Sequence, residues 1–210
     1  MARARSTEAH ERVLRAALEL FGERGIDATS MDAIARASGV GKATIYNHWA
    51  DKEALLMEVM VMIHGLNREL EDVNTGDVVR DLTTVLTRKP PGEFEEMRNR
   101  LMPAMIAYSA VHQEFGTAWR KRVMEPPRKC LLEILNRGIE CGVLPADLEK
   151  EVAVSLLLGP MLYTHIFQKG GIPTAPDIGP KVAEAFWRAH SQARKQHLER
   201  AGIPKTRTKK

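Results

Sequence analysis

The chain contains little cysteine, few aromatic residues and no long apolar run. Its two cysteines, Cys130 and Cys141, are too few for a disulfide framework. On one helix they would lie about 16 Å apart, so we expect buried, free thiols. No stretch reaches about 18 uncharged apolar residues, so no membrane-spanning helix is predicted. The basic first residues lead into charged ones, a pattern unlike a secretory signal, and we expect a cytoplasmic location.

Charge is unevenly distributed along a chain of ordinary globular composition. Apolar residues make up 44% and charged residues 28% of the 210 positions, which excludes a wholly disordered chain. Residues 1–50 carry a net charge of +1, residues 51–187 of −4 and residues 188–210 of +7. A basic tail on a mildly acidic body is typical of a nucleic-acid-binding protein, but also of a solubilising, disordered tail. Charge alone leaves both interpretations open.

Hydrophobic spacing predicts an all-α protein. Apolar residues recur at helical intervals in residues 8–22 and 97–119, and a long helix is expected from Asp51 to about Gly76. A last helix is expected from about residue 179 to residue 200. Turn-bounded runs of alternating β-branched residues are absent, so no strands are predicted. The seven histidines are scattered and no hydrolase or metalloprotease motif occurs, so neither a metal site, a cofactor nor a catalytic set is expected.

Residues 31–49 have the pattern of a helix-turn-helix. Two helices of about two turns each, residues 31–38 and 42–48, flank Gly39. Glycine suits a tight turn because a side chain there costs about 1 kcal/mol or more when φ is positive. Ile34, Val40 and Ile45 are spaced to form a small core between the two helices. So small a unit must also pack on the helix at residues 8–22.

The N-terminal end of this unit carries capping residues. Thr29 and Ser30 stand where the first helix should begin, and Thr29 with Asp32 approximates a capping box.

The outward face of the second helix suits insertion into a DNA major groove about 12 Å wide. Small residues allow close approach, Lys42 can reach a guanine edge, and the Thr44 methyl can contact a thymine. Tyr46 and His48 can reach flanking phosphates. The alternative is that Tyr46 and His48 are half-buried packing residues.

The run from Thr29 to Leu55 resembles the N-terminal DNA-binding domain of TetR-type transcriptional repressors. Two positions depart from the usual pattern: Trp49 stands where phenylalanine is commoner, which we interpret as a packing change, and Gly41 stands where serine is frequent. A serine at position 41 could bind phosphate, so one contact is absent. The proposed DNA-binding residues are Thr29, Ser30, Lys42, Ala43, Thr44, Tyr46, Asn47, His48 and Lys52.

The resemblance implies a ligand-responsive homodimer, most simply a repressor released from a palindromic operator by a small apolar molecule. It implies a DNA-binding domain over residues 1–51, a ligand-binding and dimerisation domain over residues 52–200, and a basic tail over residues 201–210. The expected partners are double-stranded DNA, a second copy of the chain and a small-molecule effector, with no membrane. The alternative is a helical enzyme or small-molecule carrier with an incidental helix-turn-helix.

Two sets of residues are predicted in the C-terminal part of the chain. A stripe of flexible methionines and polar-tipped aromatics suggests a ligand-binding surface, although most of this stripe must be core. Its residues are Met97, Leu101, Met105, Tyr108, His112 and Trp119. In the family the last two helices form the dimer interface, and the apolar residues expected there are Leu156, Leu157, Met161, Val182 and Phe186.

Overall fold

The structure is a computed structural model that describes residues 2–66, 73–88, 92–167 and 177–192, and these residues form helices and turns with no strand. The all-α prediction is therefore confirmed. The basic tail, residues 201–210, and the end of the last predicted helix lie outside the described residues. The helices are α1 (Ala2–Arg24), α2 (Met31–Ser38), α3 (Lys42–His48), α4 (Lys52–Ile63), α5 (Val78–Leu86), α6 (Glu95–Val111), α7 (Gln113–Trp119), α8 (Glu125–Glu140), α9 (Lys150–Phe167) and α10 (Ile178–His190).

Local sequence sets the ends of the helices around the predicted helix-turn-helix. The Ser30 hydroxyl caps α2 by accepting the backbone N–H three residues later, at 3.2 Å. Gly39 ends α2 with φ of 66°, the left-handed conformation that glycine adopts without strain. Asp51 caps α4, and its carboxylate accepts the N–H of Ala54 at 2.7 Å. The predicted capping box of Thr29 and Asp32 is wrong, since Ser30 is the cap.

One compact unit contains Met1–Leu70 and Lys89–Pro126. In it, α1 packs against α2, α4 and α6. A Cβ atom on Gly22 would lie 2.9 Å from Met97 Cε, so glycine allows α6 to approach α1 closely. The core of this unit includes Val13, Ala17, Phe21, Ile34, Ile45, Trp49, Leu55, Leu56, Met60, Leu101 and Met105.

A second compact unit contains Glu71–Arg88 and Pro127–Lys210. In it, α10 packs against α5 and α9. Its core includes Leu82, Leu131, Ile134, Leu135, Leu144, Val154, Leu157, Ala183 and Phe186. The predicted domain border between residues 51 and 52 does not coincide with a border between these compact units, and it stays a prediction.

A buried carboxylate fixes the start of α5 in the second unit. Asp81 is 2% exposed. Its Oδ1 accepts the Thr75 hydroxyl at 2.6 Å and the Thr75 backbone N–H at 3.0 Å, and Arg137 lies 3.4 Å from its Oδ2. A buried charge is tolerated when it is paired and hydrogen-bonded in this way.

One helix boundary differs from the sequence-based expectation. The helix that follows Asp51 ends at Ile63, and Gly65 adopts the left-handed conformation with φ of 65°. Helix α9 continues through Pro160, although Gly159-Pro160 is a helix-breaking sequence. No helix among the described residues is long and apolar enough to cross a membrane.

Neither cysteine forms a disulfide; Cys130 lies within α8, and Cys141 directly follows its last residue. The expectation that both thiols are buried is wrong, because Cys130 is only partly buried and Cys141 is exposed.

Candidate nucleic-acid interface

Helix α3 presents almost all of its side chains to solvent. Ile45 is 1% exposed and anchors the helix in the core of the first unit. The other six positions are exposed, and Tyr46 is the most prominent apolar side chain among them at 50% exposure. These six residues are Lys42, Ala43, Thr44, Tyr46, Asn47 and His48. The structure therefore brings together on one short helix the side chains that the sequence assigned to DNA contact.

Lys42 does not extend freely into solvent. Its Nζ lies 2.7 Å from Oδ2 of Asp32 on α2, and both side chains are about half exposed. An ion pair in this setting stabilises by only about 0–1 kcal/mol, so the ammonium can exchange its carboxylate for another acceptor at little cost.

Three other predicted contacts are engaged in local structure. Thr29 is 2% exposed, and its hydroxyl lies 2.7 Å from the carbonyl oxygen of Gly25, so it belongs to the packing behind α2. Ser30 is exposed but caps α2. The Lys52 ammonium donates to the carbonyl oxygen of Ile26 at 2.8 Å. Because Thr29 is buried, its assignment to DNA contact is corrected. Ser30 and Lys52 remain predicted DNA-contacting residues.

Sequence reasoning missed a cluster at the C-terminal end of α3, formed by His10, His48, Trp49 and Glu58 and called here the Glu58 cluster. The Trp49 Nε1–H donates to Oε2 of Glu58 at 2.5 Å, and His10 Nε2 lies 2.8 Å from Oε1 of the same carboxylate. The His10 and Trp49 rings have centroids 4.6 Å apart. Trp49 was the available signal, because an indole carries an N–H that a phenylalanine ring does not.

Tyr108 and His112 contact α4 rather than a cavity. The Tyr108 hydroxyl donates to Oε1 of Glu53 at 2.9 Å, and His112 Nδ1 lies 3.5 Å from the same oxygen. The two rings stack with centroids 3.8 Å apart. Burial, and then the hydrogen bond to Glu53, raise the pKa of the Tyr108 phenol above its usual value.

The remaining residues of the predicted ligand-binding stripe are mostly core. Leu101, Met105 and Trp119 are 5% exposed or less, and Met97 packs against the same core. Three polar side-chain atoms of α6 and α7 are nevertheless buried with no hydrogen-bond partner among the described residues. They are Arg98 Nε, Asn99 Oδ1 and Trp119 Nε1. Burial lowers the pKa of the Arg98 guanidinium, which a nearby Glu95 partly offsets.

The structure divides the predicted dimer residues into core and surface. Leu157 and Phe186 are 0% and 4% exposed, so their assignment to an interface is corrected: within one chain they are core of the second unit. Leu156 is 51% exposed, and Met161 and Val182 are half-buried. The same face of α9 carries further exposed residues. These are Val152, Gly159, Tyr163 and Ile166.

No group of histidine, cysteine and carboxylate side chains in the described ranges could hold a metal ion.

Comparison with known proteins identifies the class of this chain. A model of bacterial regulatory proteins of the tetR family matches residues 13–59, which contain the helix-turn-helix. A model of the tetracyclin repressor-like C-terminal domain matches residues 72–178. The chain therefore belongs to the TetR family of helix-turn-helix transcriptional regulators, which bind DNA, and the interpretation as an enzyme or carrier is not favoured.

Relatives and solved structures agree with this assignment. The HTH-type transcriptional regulator YdeS of Bacillus subtilis is 31% identical over 162 residues, which are 77% of this chain and 80% of YdeS. The regulator AcrR of Shigella flexneri is 31% identical over 173 residues, 76% of this chain and 79% of AcrR. A TetR regulator from Haloarcula marismortui shares the fold with a TM-score of 0.72 at 20% identity, covering 89% of this chain and 100% of that one.

The bond between Tyr108 and Glu53 gives a pH-dependent prediction. Because the pKa of Tyr108 is raised in the folded state, the unfolded chain loses this proton first, and stability should fall as pH rises above about 10. Tyr108→Phe should remove that part of the pH dependence and cost about 1 kcal/mol at pH 7, a value reduced because the Glu53 side chain is 38% exposed.

Thermal melts from pH 7 to 11 measure both effects. Tyr46→Phe, at an exposed position, is the matched control and should keep the wild-type pH profile. Identical profiles for the two variants would contradict this account of Tyr108.

Proposed function

We propose that this protein is a homodimeric, ligand-responsive repressor that leaves a palindromic operator when a small, largely apolar molecule binds. The exposure pattern of α3 carries the DNA-binding part of the proposal. A helix in which only Ile45 is buried and the other six side chains are exposed has the form of a recognition helix rather than of a packing element.

The exposed side chains of α3 suit distinct parts of a DNA site. Ala43 and Thr44 let the helix backbone approach base edges, and Lys42 can exchange Asp32 for a guanine acceptor. Tyr46 and His48 extend from the same helix toward the phosphates at the edges of the groove. In a homodimer, two such helices spaced about 34–36 Å apart would read two half-sites of a palindrome.

An apolar stripe on α9 supports the homodimer. Val152, Leu156, Tyr163 and Ile166 are each at least 40% exposed. Together with Gly159 they recur every three or four residues, so they lie on one face of the helix. Contiguous exposed apolar surface of this kind is typical of protein interfaces, and self-association is the assembly that buries it most simply.

Buried polar atoms on α6 and α7 support a ligand site there. Native proteins satisfy nearly all buried polar groups, so Asn99 Oδ1 and Trp119 Nε1 are candidates for bonding to a ligand. The flavonoid-responsive regulator FrrA is 25% identical, with a TM-score of 0.62, and covers 88% of this chain and 97% of FrrA. Its response to a flavonoid supports a similar effector for this chain: an apolar ring system with a few hydrogen-bonding groups.

The proposed response needs only modest energy. A ligand that weakens DNA binding a hundredfold must bind the DNA-free conformer more tightly by about 2.7 kcal/mol. Since α6 packs against α1 and bonds to α4 within the first unit, a ligand on α6 would act on helices that hold the helix-turn-helix.

DNA binding should depend on Tyr46 and Lys42 in different ways. Tyr46→Ala should weaken binding to all duplexes, because a phosphate contact carries little sequence information. Lys42→Ala should relax base preference at one position in each half-site at a cost of about 1–3 kcal/mol. Fluorescence anisotropy with the DNA upstream of the protein's own gene, and with random duplexes, measures both.

Two controls separate these contacts from loss of charge. Lys121→Ala removes an equal charge from an exposed position outside α3 and should leave the base preference unchanged. Asp32→Asn in the Lys42→Ala background removes the carboxylate left without its lysine. Unchanged affinity for Tyr46→Ala would refute the phosphate contact.

The homodimer can be tested at two neighbouring positions of α9. Leu156→Arg should give a folded monomer, because a 51% exposed side chain can be replaced without disturbing the core but not without charging the stripe. Leu157→Ala should instead unfold the second unit more easily, by about 2–5 kcal/mol. Light scattering and thermal melts distinguish these outcomes.

Val111→Arg places the same charge on a 78% exposed position outside the stripe and should remain dimeric. If Leu156→Arg also stays a dimer, the interface lies elsewhere. Phe186→Arg is not a test of the interface, since Phe186 is core.

The ligand site can be tested by removing one donor while keeping an aromatic side chain at the same position. The probe is a flavonoid that weakens DNA binding by the wild-type protein. If the buried indole N–H of Trp119 bonds to this flavonoid, Trp119→Phe should weaken flavonoid binding about tenfold, as measured by calorimetry. The variant should be no less stable than the wild type, because it removes an unsatisfied buried donor. Trp187→Phe, on α10, is the control; if neither variant changes flavonoid affinity, the site does not include Trp119.

A further inference from the structure

The Glu58 cluster joins the end of α3 to two other helices through a single carboxylate. Glu58 lies in the middle of α4, His10 on α1, and Trp49 directly follows the last residue of α3. One oxygen of Glu58 accepts the Trp49 indole N–H, and the other bonds to His10. We infer that Glu58 is a positioning residue for DNA recognition, which fixes the C-terminal end of α3 by holding Trp49 and His10 on its two oxygens.

The Trp49 side chain anchors this end of α3 in the core of the first unit. Trp49 is 2% exposed, and its backbone N–H donates to the carbonyl oxygen of Ile45 at 2.9 Å, so the indole moves with the last turn of the helix. A hydrogen bond to a carboxylate is stronger and more directional than one between neutral groups. The orientation of the indole therefore sets the orientation of the last turn.

The rings of the cluster connect this anchor to the proposed DNA-contacting surface. The His48 ring lies 5.5 Å from those of Trp49 and His10, measured between centroids, and meets the His10 ring edge to face. His48 is exposed, whereas the side chains of His10 and Glu58 are only about 30% exposed. The cluster thus supports His48, an exposed residue proposed to contact DNA, through side chains that are mostly buried.

The inference explains why a tryptophan at position 49 differs from a phenylalanine. Both rings fill a core position, but only the indole has an N–H to donate to Glu58. Position 49 therefore contributes a bond as well as packing, and this part of the inference rests on the proposed recognition role of α3.

The experiment compares full-length variants on two DNA probes. One probe is a duplex that the wild-type protein enriches from a random 30-base-pair pool, and the other is the unselected pool. Glu58→Leu and Trp49→Phe should each weaken binding to the enriched duplex about tenfold, which corresponds to about 1.4 kcal/mol. Binding to the unselected pool should weaken by a smaller factor, because most phosphate contacts come from residues outside the cluster.

Three comparisons distinguish positioning from a general structural effect. Glu58→Gln keeps an acceptor for the indole and should recover most of the affinity lost in Glu58→Leu. The double variant of Trp49 and Glu58 should bind no more weakly than Glu58→Leu alone, because that substitution already removes the bond to the indole. Glu11→Leu, an exposed glutamate on α1, controls for the lost negative charge and should retain selectivity.

A measurement without DNA tests the bond itself. The Trp49 indole N–H resonance, identified by its loss in Trp49→Phe, should move upfield in Glu58→Leu while the resonances of Trp119 and Trp187 stay in place. An unmoved Trp49 resonance, or additive losses in the double variant, would overturn the inference. If the wild type enriches no duplex, the proposed function fails and the positioning role fails with it, while the resonance still reports whether the bond exists.

Discussion

The seven residues of α3 are too few to form a stable helix in water, and this constraint governs the organisation of the first unit. The helix exists because its neighbours hold it. Ile45 is buried against the core, Gly39 turns the chain toward it, and Trp49 secures its end through Glu58. Exposing six side chains out of seven is possible only because so much of the surrounding structure is rigid.

The same unit contains more than the helix-turn-helix. Helix α6 lies against α1 at Gly22 and bonds to α4 through Tyr108 and Glu53. The residues that a helical-periodicity argument assigned to a ligand surface are therefore largely the residues that join α6 to the DNA-binding helices. In a TetR-family regulator this packing offers a direct physical route from α6 to the recognition helix, and the unsatisfied polar atoms of Asn99 and Trp119 lie on the segment that such a route would begin from.

The second unit shows how one helix can serve two surfaces. On α9, Leu157 is fully buried while its neighbour Leu156 is half exposed, because successive helical positions point about 100° apart. An apolar helix is thus divided between a core within the chain and a stripe that is exposed in the single chain. The apolar sequence of α9 conceals this division, which explains why Leu157 was predicted to lie in the interface.

The sequence by itself determined the local structure of the DNA-binding region. Gly39, the periodicity of α1 and the spacing of Ile34, Val40 and Ile45 depend on contacts within a few turns of chain, and they predicted the helix-turn-helix correctly. Tertiary structure alone decided which polar groups are used in packing. Thr29 is buried under its own turn, Tyr108 reaches Glu53 across 55 residues, and Trp49 meets Glu58 beside a histidine 48 residues away. Periodicity shows which face of a helix is apolar, but the identity of the side chain opposite depends on how distant segments pack.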